Sequence, residues 1–220
     1  MPTTASRPPA KRRAADVAYD AIEAMIATLQ LEPGAPVVEA DLVERTQMGR
    51  TPLREALLRM VSIGLVVQQP RRGLRVSNID LAEHLDVILT RRVLEGVIAA
   101  GSARRATAAQ RKAIVDRAAK MIKAAERGNL AAYMAADREL DLVNHEACRN
   151  SSAVKIVVPL IVQCRRFWYA YQHEGEITEA ARFHMVLAQG IATGNEAAAV
   201  RGANQLMDYL EGFARRVIEI

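Results

Sequence analysis

Apolar and polar residues alternate with a helical period along most of this 220-residue chain. Residues 16–31 and 39–46 have the spacing of two amphipathic helices. A third helix is predicted from Thr51, because a cap residue followed by proline is a typical helix start. The turn before it falls on residues 47–49. The buried stripe of this third helix is predicted to be Leu53, Ala56, Leu57 and Met60.

One short stretch departs from the helical period. Residues 65–67 and 74–76 are predicted to be short strands, and Arg71, Arg72 and Gly73 lie in the connection between them. Glycine permits a tight turn at such a position. A helix, a turn, a basic helix and a basic hairpin follow one another in the order of a winged helix-turn-helix. This layout predicts that the basic helix start and the hairpin tip lie on one side.

The rest of the chain has a helical pattern without strand-like alternation. Thr107 and Gln110 fit a capping box, and Gly128 fits a helix stop. Plausible caps for the last three helices are Ser151 or Ser152, Thr178 and Asn195. The predicted helices are residues 81–105, 108–127, 130–149, 152–172, 179–193 and 196–218. The expected fold class is therefore mostly α, with an N-terminal winged helix-turn-helix and a C-terminal all-α helical bundle.

These patterns divide the chain into a basic arm (1–13), a winged helix-turn-helix domain (14–78) and an all-helical domain (80–220). The arm is rich in proline, threonine and arginine and is expected to be disordered. Its basic cluster at residues 11–13 either contacts phosphate or belongs to a solvated tail.

Composition narrows the possible partners and the compartment. The chain has 30 Lys and Arg against 25 Asp and Glu, which mildly favours an anionic partner. Tyr19 is the only aromatic residue before position 130, which argues against single-strand recognition by stacking. Cys148 and Cys164 lack a zinc-finger spacing and suggest a reducing compartment. Because the longest apolar run, residues 156–162, is too short to span a membrane, a cytoplasmic protein is expected.

Basic residues cluster at the tips of two predicted elements in the N-terminal domain. The start of the third helix would enter the major groove, where arginine can bond guanine O6 and N7 or a phosphate. The wing arginines would reach the backbone or the minor groove. Any one of these arginines alone is more simply explained as a solvated surface residue, but their convergence favours contact with duplex DNA. The predicted DNA-binding residues are Arg50, Thr51, Arg54, Arg71, Arg72 and Gly73.

Two aspartates interrupt an apolar stripe in the helical domain. Asp137 and Asp141 are one turn apart, and two carboxylates that face a core repel each other unless a cation, a proton or arginines relieve them. His184 is also predicted to point inward. The three residues indicate either a ligand pocket or a metal site. The remaining histidines, including His84, are interpreted as ordinary surface or capping residues.

The segment GRTPLREALLRMVSIGLVVQQPRRGLRV, residues 49–76, resembles the DNA-binding domain of the GntR transcription regulators. Its most specific features are the Arg-Thr-Pro-Leu-Arg-Glu-Ala-Leu run and the Gly-Leu-Val before the wing. The resemblance assigns DNA contacts to Arg50 and Arg54. Gly49 stands where the family usually has serine or threonine, and Ala40 where some members have arginine. The operator is therefore expected to differ from those of better-known members.

Residues 80–218 resemble the FCD ligand-binding domain of the FadR subfamily. Many members hold a divalent metal with one aspartate and three histidines, and that metal helps to bind a small carboxylate effector. Asp137 matches the aspartate and His184 one histidine, but Asp141 replaces a second and the last is missing near residues 205–206. The matching signatures are Arg91-x-x-Leu-Glu95, Gly128-Asn129, Asp137-Arg-Glu-Leu-Asp141, Arg149-Asn150, Phe183-His184 and Gly194-Asn195.

This departure leaves two interpretations of the pocket open. Asp137, Asp141 and His184 either hold a divalent metal, one harder than a three-histidine site prefers, or bind the effector directly without a metal. Arg91 is a further pocket candidate, although it can also simply pair with Glu95. The complete predicted effector site is Arg91, Asp137, Asp141, Arg165, Trp168, Tyr169 and His184.

The resulting hypothesis is a homodimeric transcription regulator that binds a pseudo-palindromic operator on double-stranded DNA. It is expected to be a repressor that a small organic acid releases, without catalytic residues or a membrane partner. An enzyme with Asp137, Asp141 and His184 as an acid/base or metal hydrolase site is one alternative, although the chain has no nucleophile motif or phosphate loop. A DNA-binding protein without an effector is the other.

Overall fold

The computed structural model describes residues 12–173 and 176–219. Its contacts divide the chain into one compact unit that includes residues 30–78 and a second that includes residues 79–219, with residues 27–29 grouped with the second. Most of the predicted basic arm, residues 1–11, lies outside the described part. The arm's last residues are described: Arg12 pairs with Asp20, and Arg13 lies 3.4 Å from a carboxylate oxygen of Glu55.

The N-terminal unit consists of helices and a two-stranded wing, as predicted. Its elements are α1 (Ala14–Ala27), α2 (Glu39–Thr46), α3 (Arg50–Ser62), β1 (Val66–Gln69) and β2 (Gly73–Val76). The strands are antiparallel, with Val66 opposite Val76 and Gln69 opposite Gly73. The predicted apolar stripe of α3 is fully buried, which confirms the interpretation of its period.

The N-cap of α3 lies two residues before the predicted one. Gly49, not Thr51, is the N-cap, and no side chain bonds the first amides of the helix. Gln47 adopts a left-handed conformation with φ 56° and turns the chain directly after α2, so that α3 begins at Arg50. Helix α3 is joined to α1 by Arg59, which bonds Asp16 at 2.8 Å and lies 4.3 Å from the ring centre of Tyr19. Arg59 is therefore part of the packing of this unit.

The second unit contains the six predicted helices. They are α4 (Leu81–Arg105), α5 (Ala108–Glu126), α6 (Leu130–Cys148), α7 (Ser151–Tyr171), α8 (Glu176–Ala192) and α9 (Glu196–Ile218). The capping box of Thr107 and Gln110 and the Asn195 cap are confirmed. Asn150 rather than a serine caps α7, and Thr178 lies inside α8, so these two cap predictions are wrong.

Close packing of α8 on α9 fixes the helix that carries His184. A Cβ atom at Gly190 would lie 2.8 Å from the Cα of Ala199, and one at Gly202 would lie 2.8 Å from the Cα of Leu187. Real side chains do not approach backbone atoms this closely, so the two glycines allow the contact. Within the described ranges, no helix is long and apolar enough to cross a membrane.

Candidate effector pocket and DNA-binding surface

The basic residues predicted at the start of α3 lie on the surface of the N-terminal unit. Arg50 and Thr51 are exposed in the first turn of α3. Arg54 is also exposed and pairs with Glu39 of α2, its Nε lying 2.9 Å from both carboxylate oxygens. Only Nε–H is used in that pair, and a guanidinium has four further donors on its terminal nitrogens. Arg54 can therefore be oriented by Glu39 and still bond another group.

The wing tip presents its two arginines to solvent. Arg71 has a φ of 63° and Gly73 a φ of 74°, and the amide of Arg72 donates to the carbonyl of Gln69 at 3.1 Å. The turn thus depends on left-handed conformations on both sides of Arg72. Arg75, by contrast, donates to the carbonyl of Gly34 and holds the preceding segment against β2.

Four charged or polar side chains predicted for the pocket meet in the helical unit. Arg165 of α7 donates from Nε to Asp137 Oδ2 at 2.5 Å and from Nη2 to Asp141 Oδ2 at 2.7 Å. His184 of α8 places Nε2 3.1 Å from Asp137 Oδ1. The side chains are 10–12% exposed, so the cluster is largely shielded from solvent. One guanidinium therefore bridges the two aspartates whose proximity required a counter-charge.

The two ring nitrogens of His184 both face acceptors. Nδ1 lies 2.8 Å from the carbonyl oxygen of Ala180, and Nε2 faces Asp137. Burial by itself would lower the pKa of His184, but the hydrogen bond and charge of Asp137 outweigh it and raise this pKa. Burial would likewise raise the pKa of Asp137, yet Arg165 and His184 hold it well below its ordinary value. We infer a charged carboxylate bonded to two cations.

A small cavity of about 30 Å³ adjoins this cluster, and Asp137, Arg165 and His184 are among its lining residues. Arg91 and Trp168 line it as predicted residues, whereas Tyr169 packs against the apolar core and is not among the lining side chains within the described ranges. Arg91 also bonds Glu95 at 2.9 Å, so the expected pairing and the pocket position occur together. The lining residues that were not predicted are Tyr133, Met134, Cys164, Ala180 and Leu210.

The unpredicted lining residues differ in how visible they are in the sequence. Tyr133 and Met134 belong to the same helical stripe as Asp137, one turn earlier, so their position was available from spacing. Cys164 directly precedes Arg165, and burial raises the pKa of its thiol. Leu210 comes from α9, and its place in the pocket depends on packing between distant helices.

A divalent metal does not fit the observed side-chain arrangement. In the part of the chain that the structure describes, no group of three His, Cys, Asp or Glu side chains forms a metal-binding cluster. One oxygen of Asp137 and one of Asp141 bond Arg165, and the other Asp137 oxygen faces His184. The proposed metal ligands are thus brought together, but their contacts are with each other and with an arginine.

The interpretation of His84 as a surface or capping residue is wrong. His84 is only 5% exposed and stacks on Phe167 with ring centres 3.6 Å apart, so it is neither a surface nor a capping residue. Burial, reinforced by the charges of Arg91 and Arg166, lowers its pKa to about 4. His84 is therefore neutral at physiological pH and serves as an aromatic core residue.

Comparison with known families agrees with this architecture. Residues 86–209 match the FCD domain, and residues 14–76 match the family described as bacterial regulatory proteins, gntR family. The first match covers more than half of the chain and contains the charged cluster. The second contains α1, α2, α3 and the wing.

The relatives found by sequence are named as transcriptional regulators. An HTH-type regulator of an unstable DNA locus in Streptomyces ambofaciens is 36% identical over 77 residues, which are 35% of this chain and 33% of the relative. The repressor RspR of Escherichia coli is 30% identical over 80 residues, which are 36% of this chain and 35% of RspR. The chain thus spans about a third of these relatives. A regulator from Agrobacterium vitis is 29% identical over 123 residues, 54% of this chain and 72% of that protein.

Solved structures share the fold at low sequence identity. Escherichia coli McbR/YncC has a TM-score of 0.81 at 18% sequence identity. The match covers 94% of this chain and 100% of the McbR/YncC chain. A putative GntR regulator from Rhodococcus sp. RHA1 has a TM-score of 0.69 at 16% sequence identity. The match covers 91% of this chain and 96% of the Rhodococcus chain. The chain therefore belongs to the gntR family of helix-turn-helix bacterial transcriptional regulators, with an FCD domain as its C-terminal half.

Proposed function

We propose that this regulator is a homodimeric repressor that binds a pseudo-palindromic operator and is released by a small carboxylate metabolite. A two-fold symmetric dimer with one winged helix per subunit would contact two half-sites of duplex DNA. We place this activity in the bacterial cytoplasm. The effector would shift the population toward arrangements that cannot contact both half-sites, which requires different effector affinities in the two arrangements. The observation that carries the DNA-binding part is the exposed basic start of α3.

DNA recognition is assigned to residues of α3 and the wing. Arg50, Thr51 and Arg54 occupy the helix end that enters the major groove in this class of domain. Arg71, Arg72 and Gly73 form the wing tip, where the exposed guanidinium groups would contact backbone or minor groove. Arg54 is the residue that we expect to read a base, because its pair with Glu39 uses only Nε–H and leaves the terminal nitrogens to bond another group.

Operator binding by an Arg54 variant tests this assignment. A duplex selected by the wild-type protein from a random library would be titrated with wild-type and Arg54→Ala protein. Loss of a bidentate base contact should weaken specific binding about 10- to 100-fold. Arg104→Ala, which removes an exposed arginine of the other unit, should bind as the wild type does. Unchanged specific binding by Arg54→Ala would contradict the proposed recognition helix.

The effector is assigned to the cavity beside the charged cluster. Arg91, Arg165 and His184 bring N–H donors to this cavity. Trp168 and Tyr133 supply apolar walls, and the combination is suited to the carboxylate and the carbon skeleton of a small organic acid. Thermal melting with a panel of small mono- and dicarboxylates, and with their neutral amides as controls, tests this part. A saturating acid should raise the melting temperature by several degrees in the wild type and less in His184→Ala. Equal shifts in the two proteins would contradict the assigned pocket.

A further inference from the structure

We propose that Arg165 is the resident cation of the effector pocket. Its guanidinium occupies the place between Asp137 and Asp141 that a divalent metal would otherwise take, so the pocket works without a metal. The inference rests on the proposed pocket for its regulatory meaning. Its test is metal binding, which is measured independently of operator or effector binding.

The geometry of Arg165 is that of a bridging cation. It donates to one oxygen of each aspartate, at 2.5 Å to Asp137 and 2.7 Å to Asp141. The two carboxylates come from adjacent turns of α6, whereas Arg165 reaches them from α7. A planar guanidinium with several donors in fixed directions can satisfy two carboxylates at once.

Electrostatics explains why a cation is required at this point. Two carboxylates one helical turn apart and about nine-tenths buried repel each other, and desolvation raises the cost of their charges. A guanidinium remains protonated under all ordinary conditions, so it permanently offsets one of the two negative charges. A metal that entered the same place would have to displace Arg165 and leave its charge buried without these partners.

Two other basic side chains that line the cavity already have acceptors of their own. Arg91, the other buried arginine that lines the cavity, has its own carboxylate partner in Glu95 at 2.9 Å. His184 is engaged with Asp137 through Nε2 and with the carbonyl of Ala180 through Nδ1. When Arg165 is removed, the aspartate pair lacks its bridging cation, and an external cation can take that place.

Metal binding by the wild-type protein is the first measurement. Purified protein should contain no stoichiometric metal, and calorimetric titration with Mn²⁺ or Zn²⁺ should show no saturable binding in the pocket. EDTA should leave the melting temperature unchanged. A stoichiometric metal, or a melting temperature that EDTA lowers by several degrees, would overturn the proposal.

Arg165→Met supplies the complementary gain of binding. This variant keeps side-chain volume but removes the charge, and it should melt at a lower temperature. Mn²⁺ or Zn²⁺ at a hundredfold excess over Kd should raise its melting temperature by about 5–10 °C, reversibly with EDTA. If Arg165→Met does not stay folded, refolding from denaturant with and without Mn²⁺ replaces the melting curves. Failure of both ions to stabilise or refold it would overturn the proposal.

Arg92→Met is the matched control. Arg92 also bridges two carboxylates, bonding Asp208 at 2.6 Å and Glu211 at 3.1 Å, but Asp208 is 66% exposed. Its removal frees an acidic pair that water already solvates, so no metal-dependent rise in melting temperature is expected. An equal gain in Arg92→Met and Arg165→Met would show that any freed acidic pair binds metal, and would overturn the special role of Arg165.

Discussion

Arginine pairs with carboxylates in both proposed sites, but the surroundings of the two pairs differ. Arg54 and Glu39 in the N-terminal unit are 63% and 34% exposed, whereas Arg165, Asp137 and Asp141 are 10–12% exposed. An exposed pair is stabilised by little more than the water contacts that it replaces, so it can exchange partners. A buried cluster loses heavily when one member is removed, because the others stay buried and uncompensated. The first pair is suited to meeting DNA, and the second to holding a pocket in one geometry.

The largest expected effect is on stability when the buried cluster is broken. Asp137→Ala removes one acceptor of Arg165 and the carboxylate that faces His184. We expect the free energy of unfolding to fall by about 3–5 kcal/mol, measured by urea denaturation at pH 7. The matched change Glu39→Ala in the exposed pair should cost less than about 1 kcal/mol. Similar losses in the two variants would contradict the contrast between the sites.

The second expected effect is that His84 makes the free energy of unfolding depend on pH. The pKa of His84 in the folded protein, about 4, lies below its ordinary value of 6.5. Neutral His84 therefore contributes stability that is complete above about pH 6.5 and is lost as the pH falls toward 4, because the unfolded chain binds the proton first. His84→Phe keeps a ring against Phe167 but cannot titrate.

The comparison of these two proteins isolates His84 from the other titrating groups. The difference in unfolding free energy between wild type and His84→Phe should change by about 2 kcal/mol between pH 7 and pH 4, in favour of the variant at low pH. Chemical denaturation at several pH values measures it. A difference that does not vary with pH would mean that His84 is protonated alike in the folded and unfolded chain.

Sequence periodicity predicted which elements form and part of the pocket, but it misplaced the starts of α3 and α8. The spacing of Asp137 and Asp141 on one helical stripe required a counter-charge, and that reasoning left a cation, a proton and arginine as candidates. The choice of Arg165 depends on how α7 packs against α6, which no local pattern encodes. The same limit applies to His84, whose burial arises from contact with Phe167, 83 residues later by their numbers.

The Arg54–Glu39 pair was likewise not foreseen. The two residues lie on different helices and 15 positions apart, so neither helical period nor motif connects them. The family resemblance directed attention to Ala40 as a missing arginine, whereas the residue that contacts α3 is its neighbour Glu39. Side-chain pairing across a turn depends on the angle between two helices, which the motif alone does not describe.

The smallest expected effect concerns that exposed pair and tests whether it restrains Arg54. Glu39→Gln keeps the size and a hydrogen-bond acceptor but removes a negative charge near the proposed DNA surface. Its unfolding free energy should change by less than about 1 kcal/mol. Binding to non-specific duplex should tighten a few-fold at low salt, because Arg54 is released and the repulsion of phosphates is reduced.

Charge alone is controlled by Glu126→Gln, an exposed substitution at the end of α5 in the other unit. Glu126→Gln changes the net charge by the same amount as Glu39→Gln. It should therefore reproduce only the small long-range electrostatic part of the change in DNA binding. If Glu39→Gln instead weakens operator binding about tenfold while Glu126→Gln does not, Glu39 orients Arg54 for base contact rather than restraining it. Fluorescence anisotropy titrations of operator and non-specific duplexes at two salt concentrations separate these outcomes, since the phosphate contribution falls with salt and a positioned base contact does not.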